Sequence, residues 1–255
     1  MLWQKSWLET RWRFLAGLAL LILSAGANVM LYPQMLKLIP LGAKLDLGGE
    51  LGRQVAESIE LASTYRGYVW SQWFWKNMPQ QWGLFAVLLG AGGLLSQSAS
   101  GSALFTLSLP ITRTRLLLTR AATALAELFA LALAPAIVVT LLSPAVGESY
   151  SLADAIVHGV CMFVGGAVFF SLAFLLSTVF ADVWRPIIIA VCVAGALSFA
   201  DQITRAPSSF SVFRVMSAEA YFRGNGLPWP GLLMAALAST AMLYAATRNI
   251  ARQDF

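Results

Sequence analysis

The amino-acid sequence predicts an all-α polytopic membrane protein with six transmembrane helices, an amphipathic interfacial helix at the N-terminus and a short cytoplasmic helical knob between the second and third spans. Three observations carry this reading. Of the 255 residues, 58% are hydrophobic and only 11% are charged, against about 25% charged in soluble domains. Segments at about 14–36, 78–98, 117–143, 156–180, 184–200 and 229–247 each approach the ~20 apolar residues that ~30 Å of hydrocarbon requires. Basic residues crowd the ends of these segments instead of forming a soluble surface, which argues against nucleic-acid binding. The chain is expected to form one domain, 1–255, because the longest remaining stretch, 37–77, is shorter than most independently stable domains.

The first element, "MLWQKSWLETRWRF", sets Trp3 and Trp7 four apart, Leu8 and Trp12 four apart, and Lys5, Glu9 and Arg13 on another face. This pattern predicts a helix over 1–13 lying along the headgroups. The following span reaches Ala25-Gly26-Ala27, an A-x-A-like cleavage site. The apolar run continues through Val29, Met30 and Leu31, so the segment is read as a retained helix. In the outer loop, 37–77, Leu51, Val55, Ile59 and Ala62 recur at helical spacing and predict a short surface helix. Trp70, Trp73 and Trp75 then read as an aromatic belt at the outer end of the second span.

From Asn77 to Thr112 no charge occurs for 36 residues. As one helix this would run about 54 Å, nearly twice the hydrocarbon thickness, so the small and polar run Ser96 to Ser102 is expected to break it. Pro110 disfavours helical geometry at Leu109. A short apolar helix, a turn at Pro110–Thr112 and a third span that starts with Arg113 and Arg115 follow; Arg113, Arg115 and Arg120 must lie at an interface, since arginine at bilayer depth is costly. Within the third span, Glu127 is an intramembrane acid and a functional candidate by default, with pairing to a nearby arginine or an interfacial position the alternatives. Pro135 is expected to kink that helix. His158 reads as a solvated residue at the outer start of the fourth span. Cys161 and Cys192 fall inside spans and read as small apolar thiols.

With the N-terminus in the cytoplasm, the inner set of basic residues is Lys5, Arg11, Arg13, Arg113, Arg115, Arg120, Arg185, Arg248 and Arg252, nine of 17. These sit tight against helix ends with few acids nearby, so both termini are expected inside.

Catalysis is not expected. A serine nucleophile in G-x-S-G is absent, a single histidine and two separated cysteines make no metal site, and no metal ligand set is assigned. Of the four lysines only Lys5 precedes Ser or Thr, with Gln4 before it instead of Gly, so the chain carries no phosphate-binding loop.

The stretch "GSALFTLSLPITRTRLLLTRA", residues 101–121, resembles the ABC-2 type permeases, membrane subunits of ABC transporters. Tyr32-Pro33 after the first span, the amphipathic N-terminus, six spans and the terminal "ARQDF" fit the same layout. A glutamate that many members carry shortly before the glycine is replaced here by Ser96-Gln97-Ser98-Ala99-Ser100. The resemblance implies a permease subunit, an exporter, in the cytoplasmic (inner) membrane of a bacterium, dimerised with a second copy or a paralogue. It also implies a coupling helix within 102–115 that docks on a separate ABC ATPase dimer. Leu107, Ser108, Leu109 and Pro110 would form the docking tip, with Arg113 and Arg115 meeting acids of the ATPase or lipid phosphates. ATP and Mg would belong to that partner and no cofactor to this chain. The competing readings are a secondary transporter driven by an ion gradient, for which the sequence offers one acid and no half-to-half repeat, and a non-transporting scaffold subunit.

Overall fold

The computed structural model describes residues 2–42, 49–92, 112–204 and 211–252, and every regular element among them is helical. They are α1 (Leu2–Gly42), α2 (Gly49–Ser63), α3 (Tyr65–Tyr68), a π-helical run (Val69–Asn77), α4 (Met78–Gly90), α5 (Arg113–Leu142), α6 (Leu152–Leu176), α7 (Trp184–Thr204), α8 (Val212–Met216), α9 (Glu219–Phe222) and α10 (Trp229–Arg252). A 3₁₀ turn, Ser143–Val146, closes α5, and Gly147 leaves it at φ 77°. Five helices, α1, α5, α6, α7 and α10, are long and apolar enough to cross a membrane. In place of the expected span at 78–98, α3, the π run and α4 form one unbroken helical course, Tyr65–Gly90; residues 93–98 lie outside the described residues.

The long helices alternate in direction along the chain, as side-chain contacts along their lengths establish. Between α1 and α4, Gly17 meets the Phe85 ring, the Gln81 amide donates to Ser24 Oγ at 2.9 Å and Arg13 reaches Leu88, an antiparallel order. Between α1 and α5, Thr10 bonds Glu127 and Gly26 lies against Leu142, a parallel order. Parallel again are α4 and α6, with Trp82 over Gly166 and Gly90 on the Phe170 carbonyl. Asn249 of α10 donates to the Thr178 carbonyl just beyond the end of α6 at 2.9 Å. The termini of α1 and α10, the end of α4 and the starts of α5 and α7 therefore share one end of the bundle. That end holds the nine basic residues grouped from the sequence.

The centre is α6, packed against α4, α5, α7, α8 and α10. Its glycines set the helix separations, because a hydrogen in place of a side chain lets backbones approach. A Cβ on Gly159 would lie 3.2 Å from the Ala132 carbonyl oxygen of α5, and one on Gly166 would lie 2.2 Å from the Trp82 ring of α4. From the α4 side, a Cβ on Gly90 would lie 2.6 Å from the Phe170 carbonyl oxygen. The Trp82 indole N–H, buried in this contact, donates to the Leu128 carbonyl at 3.1 Å.

Three expectations are corrected. The segment 1–13 does not form a helix of its own: α1 runs through it without interruption. The buried residues Ser6, Thr10, Phe14, Gly17, Leu21, Ala25, Asn28 and Tyr32 form one stripe at steps of three and four along the whole helix. Because the phase never breaks, the first three turns pack on α5 like the rest; Trp3 and Trp12 face outward. The outer loop 37–77 is helical where described except at Thr64, an extended residue between α2 and α3, with α2 covering the predicted short helix. Trp70 and Trp73 are buried, not a belt. Trp70 stacks on Phe222 of α9 at 4.2 Å between ring centroids and donates to the Ser217 carbonyl at 3.1 Å. The covering elements α8 and α9 come from the distant connection between α7 and α10, which local pattern cannot place.

His158 is likewise fully buried, not solvated. Its ring stacks on Phe74 at 4.4 Å, and Nδ1 lies 3.0 Å from the Ser217 carbonyl. That carbonyl serves both His158 and Trp70, tying α6 to the π run through the turn after α8. Nearby, Arg66 bonds Asp154 at 3.0 Å, and the Tyr221 hydroxyl donates to the other Asp154 oxygen at 2.9 Å. This bond, with burial, holds the Tyr221 phenol above its ordinary pKa.

Replacing Gly90 with Val is expected to lower the thermal midpoint of the detergent-solubilised chain by the equivalent of about 1–3 kcal/mol, the usual cost of overpacking. Gly83→Ala on the same helix, where nothing lies within 4 Å of the new Cβ, should leave the midpoint unchanged or higher. Thermal unfolding followed by tryptophan fluorescence checks both.

Candidate functional site

The basic end of the bundle contains a buried junction of charge that joins α1, α4 and α5. Its construction starts at the end of α4. The last carbonyls of a helix lack intrahelical donors and carry partial negative charge. Here Arg13 Nη1 supplies the donors, bonding the Leu88 and Ala91 carbonyl oxygens at 2.7 Å each. The chain then leaves through Gly92 at φ 129°, a conformation open to glycine. A Cβ there would lie 3.1 Å from Arg120 Nη2 and 3.3 Å from Arg13 Nη1, so two guanidinium groups converge on this exit.

The re-entry into the bundle is built at the start of α5. The Thr112 hydroxyl accepts from the Arg115 N–H at 3.4 Å, capping the helix. Two turns on, Arg120 is buried, 3.6 Å from Glu9 of α1, and Glu9 also pairs with Lys5 at 3.9 Å. A further two turns on, Glu127 is buried on the same face and accepts from the Thr10 hydroxyl. Its second carboxylate oxygen has no hydrogen-bond partner among the described residues. One cation and one acid, Arg13 and Glu9, are thus drawn from α1, and the other pair, Arg120 and Glu127, from α5, the helix that follows residues 93–111.

The residues expected to form the docking tip, Leu107, Ser108, Leu109 and Pro110, lie outside the described residues, as does most of the coupling element 102–115. Arg113 opens α5, and Arg115 is exposed in its first turn. Glu127 is buried and held by Thr10, with Arg120 two turns away on the same helix. Sequence reasoning missed Thr10, Arg13 and Glu9 as its companions. The signal was present in the stripe Ser6, Thr10, Phe14, Gly17, whose small and polar members mark the buried face of α1 before its apolar run begins. Among the described residues no group of three or more His, Cys, Asp or Glu side chains is placed to hold a metal ion.

Comparison with protein families matches residues 56–255 to the family described as "Protein of unknown function (DUF2705)". That match spans more than half of the chain, and the chain belongs to this family. No curated protein and no solved structure matches it.

Thr10→Val removes the donor from a buried carboxylate and is expected to destabilise the chain by about 1–3 kcal/mol. Glu127→Gln should lower the loss caused by Thr10→Val, because the amide carries no charge to leave unpaired. A double-mutant cycle on thermal unfolding measures this coupling; additive effects would mean that the two side chains do not interact.

Proposed function

We propose that the chain is the permease subunit of an ATP-driven transporter of the ABC-2 type, dimeric, crossing the cytoplasmic membrane of a bacterium six times with both termini inside. The observation that carries this reading is the junction: both ends of the 93–111 segment are anchored in the bundle by arginines, Arg13 partly buried and Arg120 buried. Arg13 holds the α4 exit, and Arg120 holds the first turns of α5 against Glu9. A push on that segment reaches α1, α4 and α5 together. Six alternating helical runs, including Tyr65–Gly90, and the gathering of basic residues at the junction end support the inward orientation.

On this reading, a separate ATPase pair grips 102–115 through Leu107, Ser108, Leu109 and Pro110, with Arg113 and Arg115 beside them. ATP and Mg are held by that pair. ATP biases the permease only because the ATPase binds its two arrangements unequally. A lateral groove of about 380 Å³ between α4 and α7, with Gln80 and Ser198 among otherwise mostly apolar lining residues such as Leu84, Val87 and Phe169, supports an amphipathic, lipid-like cargo; export is the direction that the resemblance implies.

Two measurements test the proposal. Purification from native membrane should recover a partner bearing G-x-x-x-x-G-K-[ST], and Pro110→Gly with Arg113→Glu should weaken that association and its ATP turnover while leaving insertion intact. Unchanged co-purification and turnover would remove the docking role. Cysteine at Thr112 should react with an impermeant maleimide only from the cytoplasmic side; labelling from the other side would overturn the orientation and with it the transporter reading.

A further inference from the structure

At the end of the bundle opposite the junction lies a cavity of about 230 Å³, lined by residues including Trp70, Trp75, Lys76, Arg214, Glu219 and Arg223. Its construction differs from the rest of the fold in two ways. The first is the wall. Trp70, Trp75 and Lys76 belong to the π-helical run, where Met78 N–H bonds the Trp73 carbonyl five residues back and Asn77 Nδ2 donates to Gln72 O at 2.6 Å. Such runs are rare, are usually single-turn bulges and cluster at functional sites. Nine consecutive residues here adopt one, and the widened turn sets the indoles of Trp70 and Trp75 face to face at 5.8 Å.

The second is charge. Among the described lining residues three cationic side chains face one acid. Glu219 is buried and shared, 2.9 Å from Arg223 Nε and 3.7 Å from Arg214 Nε. Asp201, outside the lining, takes a second share of Arg214 at 3.5 Å. Lys76 is exposed at the rim and has no hydrogen-bond or ion-pair partner among the described residues. Arg214 Nε makes ion pairs but no hydrogen bond among the described residues, and it is buried from solvent. A buried guanidinium N–H without an acceptor costs free energy, and a cavity with a surplus of cations over acids supplies that acceptor when an anion enters.

We infer that this cavity binds an anionic headgroup of the phosphate class, with Lys76, Arg214 and Arg223 meeting the phosphate oxygens and the Trp70–Trp75 wall taking the attached organic portion. The same chemistry arises from a soluble phosphate ester or from the headgroup of an anionic lipid at the rim. The site does not depend on the motor-coupling reading: it lies on the other face, and its residues take no part in the junction. Its wall is nevertheless continuous with α4, which ends under Arg13.

The test uses the full chain in nanodiscs of phosphatidylcholine. Isothermal titration with glycerol phosphate, and in parallel with short-chain phosphatidic acid, is compared between wild type and Lys76→Ala. Lys76 is exposed and unpartnered, so its removal should leave the fold intact, which an unchanged thermal midpoint verifies. Saturable binding of one equivalent, weakened about tenfold or more in Lys76→Ala as befits loss of a charge-assisted contact and restored in Lys76→Arg, supports the site. Binding of the soluble ester assigns a free phosphate ligand, and binding of the lipid alone assigns a membrane headgroup. Absence of binding by both, or equal binding by wild type and Lys76→Ala, overturns it.

Discussion

The bundle depends on the satisfaction of the α4 C-terminus by Arg13. The last carbonyls of a helix lack intrahelical donors, and a donor from elsewhere must satisfy them where water does not reach. One guanidinium nitrogen, carried on a different helix, takes the Leu88 and Ala91 oxygens. Its own charge is then tolerated because Glu9, Glu127 and the helix dipole lie in the same junction. Arginine suits this role better than lysine, since its planar fork offers several donors in fixed directions. The consequence is mechanical: α1 and α4 cannot slide past each other at this end without breaking two charge-assisted bonds.

At the opposite end the fold solves a related problem with aromatic and small groups. The Ser217 carbonyl lies within bonding distance of both Trp70 and His158, while Tyr65 and Ser143 share a hydrogen bond at 2.7 Å and the Tyr68 hydroxyl donates to the Asn28 carbonyl at 3.0 Å. These bonds link α1, α3, the π run, the 3₁₀ turn, α6 and the turn after α8. Trp73 and Phe74 are almost wholly buried beside polar groups that would be costly if left unpaired. Between the two ends, glycines on α4 and α6 hold the helices close enough for backbone to meet side chain directly.

Which parts were legible beforehand follows from the range of the forces involved. The helical class and the positions of α1, α5, α6, α7 and α10 come from apolar runs long enough to read locally. So does the start of α5, where Thr112 precedes a run of good helix formers. Glu127 stood out because an acid in such a run is rare. Its partner did not, because Thr10 is 117 positions away and nothing local distinguishes a threonine that reaches another helix from one that faces lipid. His158 and Trp70 were misplaced for the same reason: their covering partners, Ser217 and Phe222, come from a connection whose fold-back is a tertiary event.

By itself the sequence determined that the chain is helical, membrane-suited and basic at one end, since hydropathy and charge act residue by residue over a single turn or span. Tertiary structure alone decided that α1 is one helix from Leu2 to Gly42, that Arg13 and Arg120 converge on Gly92, and that a π-helical wall closes a cationic cavity at the far end. Those outcomes depend on which buried donor finds which acceptor across helices, and that pairing is set by the packing of the whole bundle.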